Sequence, residues 1–224
     1  MKDEEEILRE KMKQIAAEYI EKGDFYGWFD KIYRETENDS EQIPWVDFEP
    51  NRFLVEWSKT ANLQGNNRKA LVVGCGLGDD AEFLDDLNFD VTAFDFSEKA
   101  IEIAEKIHGE SDIKFYAADL FNPSKEWQQA FDFVLEVYTI QALPLNLREK
   151  TIKAISNFVA ENGELIVVQR FRENDEEPEA LPWALSPNDL SNFEKNGLTQ
   201  TGFSEFYGDE EDEPIKRFVA EYRR

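Results

Sequence analysis

Val72-Val73-Gly74-Cys75-Gly76-Leu77-Gly78-Asp79-Asp80 is the stretch that decides how this chain is read. The run Ala70-Leu71-Val72-Val73 is apolar and stops at a glycine, as a strand buried on both faces does. Beyond it the pattern predicts a helix over about 80–87, with Asp80 standing where an N-cap is wanted. Glycines at 74, 76 and 78 let the backbone approach a ligand where a Cβ would collide. The helix behind them offers unpaired N–H groups. A glycine turn on its own also serves many sharp strand-to-helix turns as a purely structural device.

The next element sharpens the reading. Asp95 ends the strand predicted over 90–94 and lies 21 residues after Gly74. A carboxylate at that place can accept hydrogen bonds from both ribose hydroxyls of a nucleoside. The alternative is a strand-end acid capping the helix that begins near Ser97; with the glycine turn beside it, ribose binding is preferred. A dinucleotide fingerprint needs its third glycine five residues after the first. Here Gly78 comes four after Gly74, and Asp79 occupies the expected place. Its charge would repel a pyrophosphate, and the turn carries no Arg or Lys to offset it. The expected ligand is a nucleoside without phosphates, and S-adenosylmethionine fits.

Working outward, strand and helix alternate. A helix is predicted over 98–108, strands over 113–117 and 131–137, a helix over 147–160 stopped by Asn162-Gly163, and a strand over 164–169. Repeated units of this kind build a parallel sheet with helices on both faces. A helix over 186–196 follows, then two strands over 198–207 and 215–222, joined by the acidic segment 208–214, read as a solvated loop. Strands joined without a helix pair antiparallel. Upstream, residues 1–22 carry Ile7, Leu8, Met12, Ile15, Ala16, Tyr19 and Ile20 at helical spacing, ended by Gly23. Residues 24–50 are aromatic-rich but polar, and a short helix is expected from Asn51 to Lys59. The expectation is a single domain over 1–224, with residues 1–60 as an N-terminal helical and aromatic cover and 69–224 as the core.

Composition closes off other classes. The 224 residues hold 49 acidic and 25 basic side chains, a net charge of -24. A nucleic-acid backbone or an anionic membrane needs a basic face, so neither is expected as a partner. Hydrophobic content of 41% is ample for a buried core. The lone Cys75 cannot form an internal disulfide, and the acidic start after Met1 is the opposite of a signal peptide. No apolar run approaches membrane-spanning length. A cytoplasmic location is the expectation. With His108 as the single histidine, a His-rich metal site is excluded and no metal is expected.

At this point the sequence resembles the class I S-adenosylmethionine-dependent methyltransferases, over about residues 69–170. Gly74-Cys75-Gly76-Leu77-Gly78 is similar to the family's first motif, Asp95 to its ribose-binding acid, and Ala118-Asp119-Leu120 to the place where an Asp meets the adenine amino group. Phe131-Asp132-Phe133-Val134 with Glu136-Val137-Tyr138 resembles the fourth strand and the loop beside the methyl donor. Gly163-Glu164-Leu165-Ile166-Val167-Val168 resembles the fifth strand. The family carries an acid two residues before the first glycine, where this chain has Val72. The thiopurine, thiol and halide methyltransferase branch tolerates that, and Trp28 with Ile43-Pro44-Trp45 resembles its segment before the first strand, although Val73 replaces the branch's proline.

The resemblance implies an α/β, Rossmann-like three-layer sandwich. Its seven-stranded, mostly parallel sheet would end in an antiparallel C-terminal hairpin, with the N-terminal helical cover added. It implies S-adenosylmethionine as cofactor, S-adenosylhomocysteine as product, and contacts from Gly74, Cys75, Gly76, Gly78, Asp95, Phe96, Asp119, Leu120, Glu136 and Val137. Aromatic faces attract a sulfonium, so one of Trp28 and Trp45 is expected at the methyl donor; ordinary packing is the alternative for each. Glu136 and Tyr138 are the candidate catalytic residues, as proton acceptor and as a wall of the acceptor pocket. Gln141 and Trp183 are weaker candidates, as a solvated loop residue and a loop anchor. Cys75 reads as a small buried residue, and His108 as remote from the site and either a surface or a satisfied residue.

The expected function is methyl transfer to a small-molecule acceptor, with a thiol or another soft nucleophile favoured because it needs no strong base. A binding module without catalysis and a protein-modifying enzyme are the alternatives. A nucleotide-dependent dehydrogenase is disfavoured by the glycine spacing. A monomer or weak homodimer is expected. The charge itself yields a test. Self-repulsion weakens as the screening length falls from roughly 30 Å at about 0.01 M salt to roughly 3 Å at about 1 M. The melting temperature therefore rises across that range of sodium chloride; a flat or falling curve would contradict the expectation.

Overall fold

Strand β1 (Lys69–Val73) lies at the centre of the sheet, and the rest of the fold is arranged around the crevice at its carboxyl end. The computed structural model describes residues 2–36, 42–43, 45–178, 181–207 and 215–224, with the side chains of 2–9 outside the description. The expected acidic loop over 208–214, and Pro44, lie outside the described residues. The elements before β1 are α1 (Lys2–Glu21), α2 (Gly27–Glu35) and α3 (Arg52–Ala61). After it come α4 (Asp79–Asp86), β2 (Asp90–Asp95), α5 (Glu98–Ile107), β3 (Lys114–Ala117), β4 (Phe131–Val137), α6 (Thr139–Ala142) and α7 (Arg148–Ser156). The chain ends with β5 (Val159–Arg170), α8 (Pro187–Lys195), β6 (Thr199–Tyr207) and β7 (Lys216–Arg223).

The seven strands are ordered β3-β2-β1-β4-β5-β7-β6. The first five are parallel, and β7 runs antiparallel to both β5 and β6. This is the expected Rossmann-like architecture with its antiparallel C-terminal hairpin. Order reverses between β1 and β4, which places a crevice at their carboxyl ends. Alternation along β1 splits the core in two. Leu71 and Val73 join Val134, Ile152, Phe193 and Phe218 on the α7/α8 face. Ala70 and Val72 join Leu54, Trp57, Leu84 and Phe133 on the α3/α4 face. Fully buried side chains of this size each contribute about 1.5–3 kcal/mol of apolar transfer.

Three local expectations are corrected. The helix expected to run to Ala160 ends at Ser156, because Phe158 and Val159 turn into the core and Val159 already pairs with Phe131. Asn162-Gly163 then marks an irregularity inside β5, with Asn162 at φ +64°, and not a helix stop. Asp80 does not cap α4: Gly78 is the N-cap, at φ +96°, and the Asp80 carboxylate instead accepts the backbone N–H of Asn51 at 2.7 Å. The aromatic stretch after Asp24 contains α2, a helix that composition did not signal.

The cover is a third packed unit, with Met12, Ala16, Trp28, Ile32, Tyr33 and Ile43 against Leu77 of the glycine turn and Ala100 and Ile103 of α5. One polar joint fastens it. Ser97, fully buried, caps α5 by accepting from the Ala100 N–H at 3.1 Å and donates its hydroxyl to Asp30 of α2 at 2.7 Å. Arg34 holds the other Asp30 oxygen at 2.6 Å. Ser97→Ala removes both bonds of the joint and is expected to cost about 1–2 kcal/mol in urea unfolding. A loss within experimental error would show that apolar packing alone holds the cover.

Candidate functional site

The glycine turn is built on backbone that side chains avoid. Gly74, Gly76 and Gly78 stand at φ +62°, +55° and +96°. At Gly74 an added Cβ would drive into the Thr139 hydroxyl, which donates to Val73 C=O at 3.0 Å and so ties the turn to the loop after β4. Cys75 N–H bonds Phe94 C=O at 2.9 Å, fastening the turn to β2. Burial raises the Cys75 thiol well above its ordinary range, which agrees with a small structural residue.

Asp95 closes the turn from the side. Its two carboxylate oxygens accept Gly76 N–H at 3.0 Å and Ser97 N–H at 2.9 Å. Burial raises its pKa, against the lowering effect of these bonds. A carboxylate has about four acceptor positions, so Asp95 keeps capacity for further hydroxyl donors. Next along, Phe96 is exposed, and Asp119 turns its own loop by accepting Phe121 N–H at 2.8 Å. Tyr26 of the cover reaches this corner: its ring lies 4.4 Å from Phe96 and 6.5 Å from Phe121, and its pKa is raised by burial first and then by Asp119. Leu120 is buried in the core behind.

The two tryptophans belong to the cover. Trp28 is buried within the cover, stacked on Phe29 at 3.6 Å. Trp45 is exposed on one side and donates its indole N–H to the Tyr33 hydroxyl at 2.9 Å. That hydroxyl sits over Gly76, 3.2 Å from where a Cβ would be. Tyr33 and Tyr26, more than Trp28, are thus the cover residues that meet the turn and its acidic neighbour. Nothing in the sequence distinguished them from the other rings of an aromatic segment.

His108 requires a correction. Far from being remote, it is buried beneath the glycine turn, with Nε2 3.0 Å from Leu77 C=O and Nδ1 3.3 Å from Glu82. Its ring and that of Phe115 lie 3.0 Å from where a Gly78 Cβ would stand, so they form the floor of the turn.

Glu136 and Tyr138 leave β4 toward opposite faces. Glu136 is fully buried and accepts Thr139 N–H at 2.7 Å, Ile140 N–H at 3.0 Å and the Gln169 amide at 2.6 and 2.8 Å. Burial pushes its pKa up to about 7 despite these bonds. Gln141, expected in solvent, is buried and accepts Arg170 N–H at 2.9 Å. Trp183 is tethered through its backbone, to Gln141 and to the buried Arg148 at 2.7 Å. Tyr138 is half-buried at φ +59°, and Val137 packs on the α3/α4 core. Among the described residues, no cluster of three or more His, Cys, Asp or Glu is placed to hold a metal, and no helix is long and apolar enough to cross a membrane.

Residues 70–163 match the family profile of a methyltransferase domain. No curated protein matches the sequence. Among solved structures, the N-methyltransferase NodS from Bradyrhizobium japonicum WM9, in complex with S-adenosyl-L-homocysteine, is similar with a TM-score of 0.65 at 19% identity, over 87% of this chain and 96% of that one. A structure described under the conversion of a disulfide bond into a thioacetal group during echinomycin biosynthesis gives 0.64 at 22% identity, over 80% and 84%. The cyclase SpnF gives 0.63 at 16%, over 77% and 80%. These likenesses show the fold, a Rossmann-like one. The match over residues 70–163 identifies a methyltransferase domain, whose cofactor is S-adenosylmethionine. The site fits that cofactor: a turn with glycine at positions 74, 76 and 78, a carboxylate with spare acceptor capacity, and aromatic rings beside a second acid.

The raised Glu136 pKa carries a pH dependence. The folded carboxyl holds its proton more tightly than the unfolded one, so its contribution is complete below pH 4.5 and is lost as pH rises to about 7. Across that window Glu136→Gln should gain stability relative to the parent chain, read from urea midpoints at each pH. A constant difference would place the carboxyl at its ordinary value.

Proposed function

We propose that this enzyme transfers a methyl group from S-adenosylmethionine to a small-molecule acceptor whose reacting atom is a soft nucleophile such as a thiol. When bound, the cofactor supplies an activated methyl group. Asp95 would hold the ribose hydroxyls, the turn from Gly74 to Gly78 would lie against the amino-acid part, and Phe96 and Tyr26, in contact with each other, would line one side of the adenine, with Asp119 toward its amino group. Cys75, Leu120 and Val137 shape the walls behind them. The cover excludes water through Tyr33 and Trp45, with Trp28 packed in its interior. Alignment and water exclusion then account for most of the rate.

One observation carries the choice of acceptor. Glu136 is sealed in the interior with both oxygens engaged by the chain, so its role is to fix the loop that carries Tyr138, and no general base is required of it. A thiol, acidic enough to ionise near neutral pH, needs none. The neighbour associated with disulfide and thioacetal chemistry and the resemblance to the thiopurine, thiol and halide branch favour the same acceptor. We further infer a cytoplasmic enzyme that acts as a monomer or weak homodimer.

Incubation with S-adenosylmethionine and a panel of small thiols should release S-adenosylhomocysteine, measured by chromatography. Asp95→Ala should weaken binding of that product by about 1–3 kcal/mol in calorimetry while the fold persists. Turnover with amines or alcohols but not thiols would replace the acceptor class. Product binding that is absent, or unchanged by the substitution, would remove the assigned cofactor site.

A further inference from the structure

His108 is the single histidine of the chain and is buried at the end of α5. Its two ring nitrogens face two acceptors. Nε2 lies 3.0 Å from the Leu77 carbonyl of the glycine turn, and Nδ1 lies 3.3 Å from the exposed Glu82 carboxylate of α4. That second contact is within ion-pair distance but outside hydrogen-bond alignment, and the buried Nδ1 has no hydrogen-bond partner among the described residues. A neutral imidazole carries one N–H and one bare nitrogen. Whichever tautomer it takes, a lone pair then meets a carbonyl oxygen or a carboxylate. Only the imidazolium, with a donor at each nitrogen, answers both.

The surroundings of the ring are acidic. From α4 come Glu82 and, nearer the turn, Asp79; burial raises the Asp79 pKa, the charge of His108 lowers it, and Glu82 and Asp47 add to the rise. From β3 comes the Phe115 ring, stacked on the imidazole at 6.0 Å. On the segment after α5, Ser111 donates its hydroxyl to His108 C=O at 2.7 Å. The turn from Gly74 to Asp80 carries no Arg or Lys of its own, and the ring below it can supply positive charge. The contact with Leu77 also reaches the other side of the turn, because the Leu77 side chain belongs to the cover's packed unit with Trp28, Ile32 and Tyr33. The turn is clamped between the imidazole below and the cover above.

We propose that His108 is a positioning residue for the methyl donor: as an imidazolium it holds the Leu77 peptide and offsets the acids of α4, so that cofactor binding at the glycine turn is linked to a proton on this ring. The inference rests on the cofactor site described above and adds its dependence on pH. His108 acts through the turn, from the side opposite the cover. Loss of its proton leaves a lone pair opposite an oxygen and removes a positive charge beside Asp79, so the turn loosens and affinity for the cofactor falls as pH rises. Linkage is reciprocal: bound cofactor makes the ring hold its proton more tightly, by the same factor.

A single histidine makes the test direct, since the nitrogen-15-labelled full chain gives one set of imidazole signals. Titrated by NMR with and without saturating S-adenosylhomocysteine, the midpoint of His108 should stand about 0.7 pH unit or more higher in the complex, and calorimetry should show affinity for that ligand falling about fivefold or more between about pH 5.5 and about pH 8.5. Glu136, with its pKa pushed up to about 7, titrates in the same range, as does the ligand's amino group. The fivefold factor is therefore read relative to His108→Gln, which keeps a donor for Leu77 but carries no charge. Glu82→Gln, at an exposed position, should lower the His108 midpoint in the free chain, and it replaces His108→Gln as the reference if that variant does not fold. A midpoint unmoved by the ligand, a midpoint unmoved in Glu82→Gln, or the same pH factor in the parent and the reference variant would overturn the proposal. Absence of S-adenosylhomocysteine binding at either pH would instead remove the cofactor site itself, and this inference with it.

Discussion

The carboxylate of Asp95 accepts one N–H from the glycine turn and one from the start of α5, and much of the site is arranged around those two bonds. The first holds Gly76 in left-handed backbone; the second aims Ser97 so that its hydroxyl reaches Asp30 on the cover. One half-buried acid therefore sets the path of the turn and, through the next residue but one, the seat of the helix lying over it. Desolvation raises its pKa, opposing the charge that those bonds require. A hydroxyl donor arriving at the remaining lone pairs would ease that opposition, which is a physical reason for a ribose to be welcome there.

The sheet separates two kinds of polar chemistry at its carboxyl end. On the α7/α8 face, Glu136, Gln169 and Gln141 satisfy one another and the backbone of α6 and β5, forming a closed network. Such a network is rigid because every member has its partners, and it fixes the loop after β4 without facing solvent. On the α3/α4 face, Arg170 and Arg217 are paired across β5 and β7, and both bear on Tyr138. The period of two along β5 and β7 sends neighbours such as Gln169 and Arg170 to opposite faces, and the left-handed backbone of Tyr138, just past the end of β4, turns its ring away from the face that Glu136 occupies.

The alternation of strands and helices, the turn at Gly74–Gly78, the spacing to Asp95 and the hairpin after α8 were all legible in the sequence, because each depends on local pattern: apolar runs, glycines where a Cβ is excluded, and strands joined without a helix. The fold class followed from those patterns. What only the tertiary structure decided was the surroundings of individual side chains. Trp28 and Tyr26 are both aromatic residues of one polar segment, yet one lies in the cover's interior and the other beside Asp119. Glu136 read as an available base until Gln169, 33 residues away, was placed against it. His108 read as remote until the end of α5 brought it under Gly78. Arg170 and Arg217 are 47 positions apart and carry no shared motif; the antiparallel register of β5 and β7 makes them neighbours. Local conformation is written in short windows of residues, whereas burial and charge pairing depend on contacts between windows far apart in the chain.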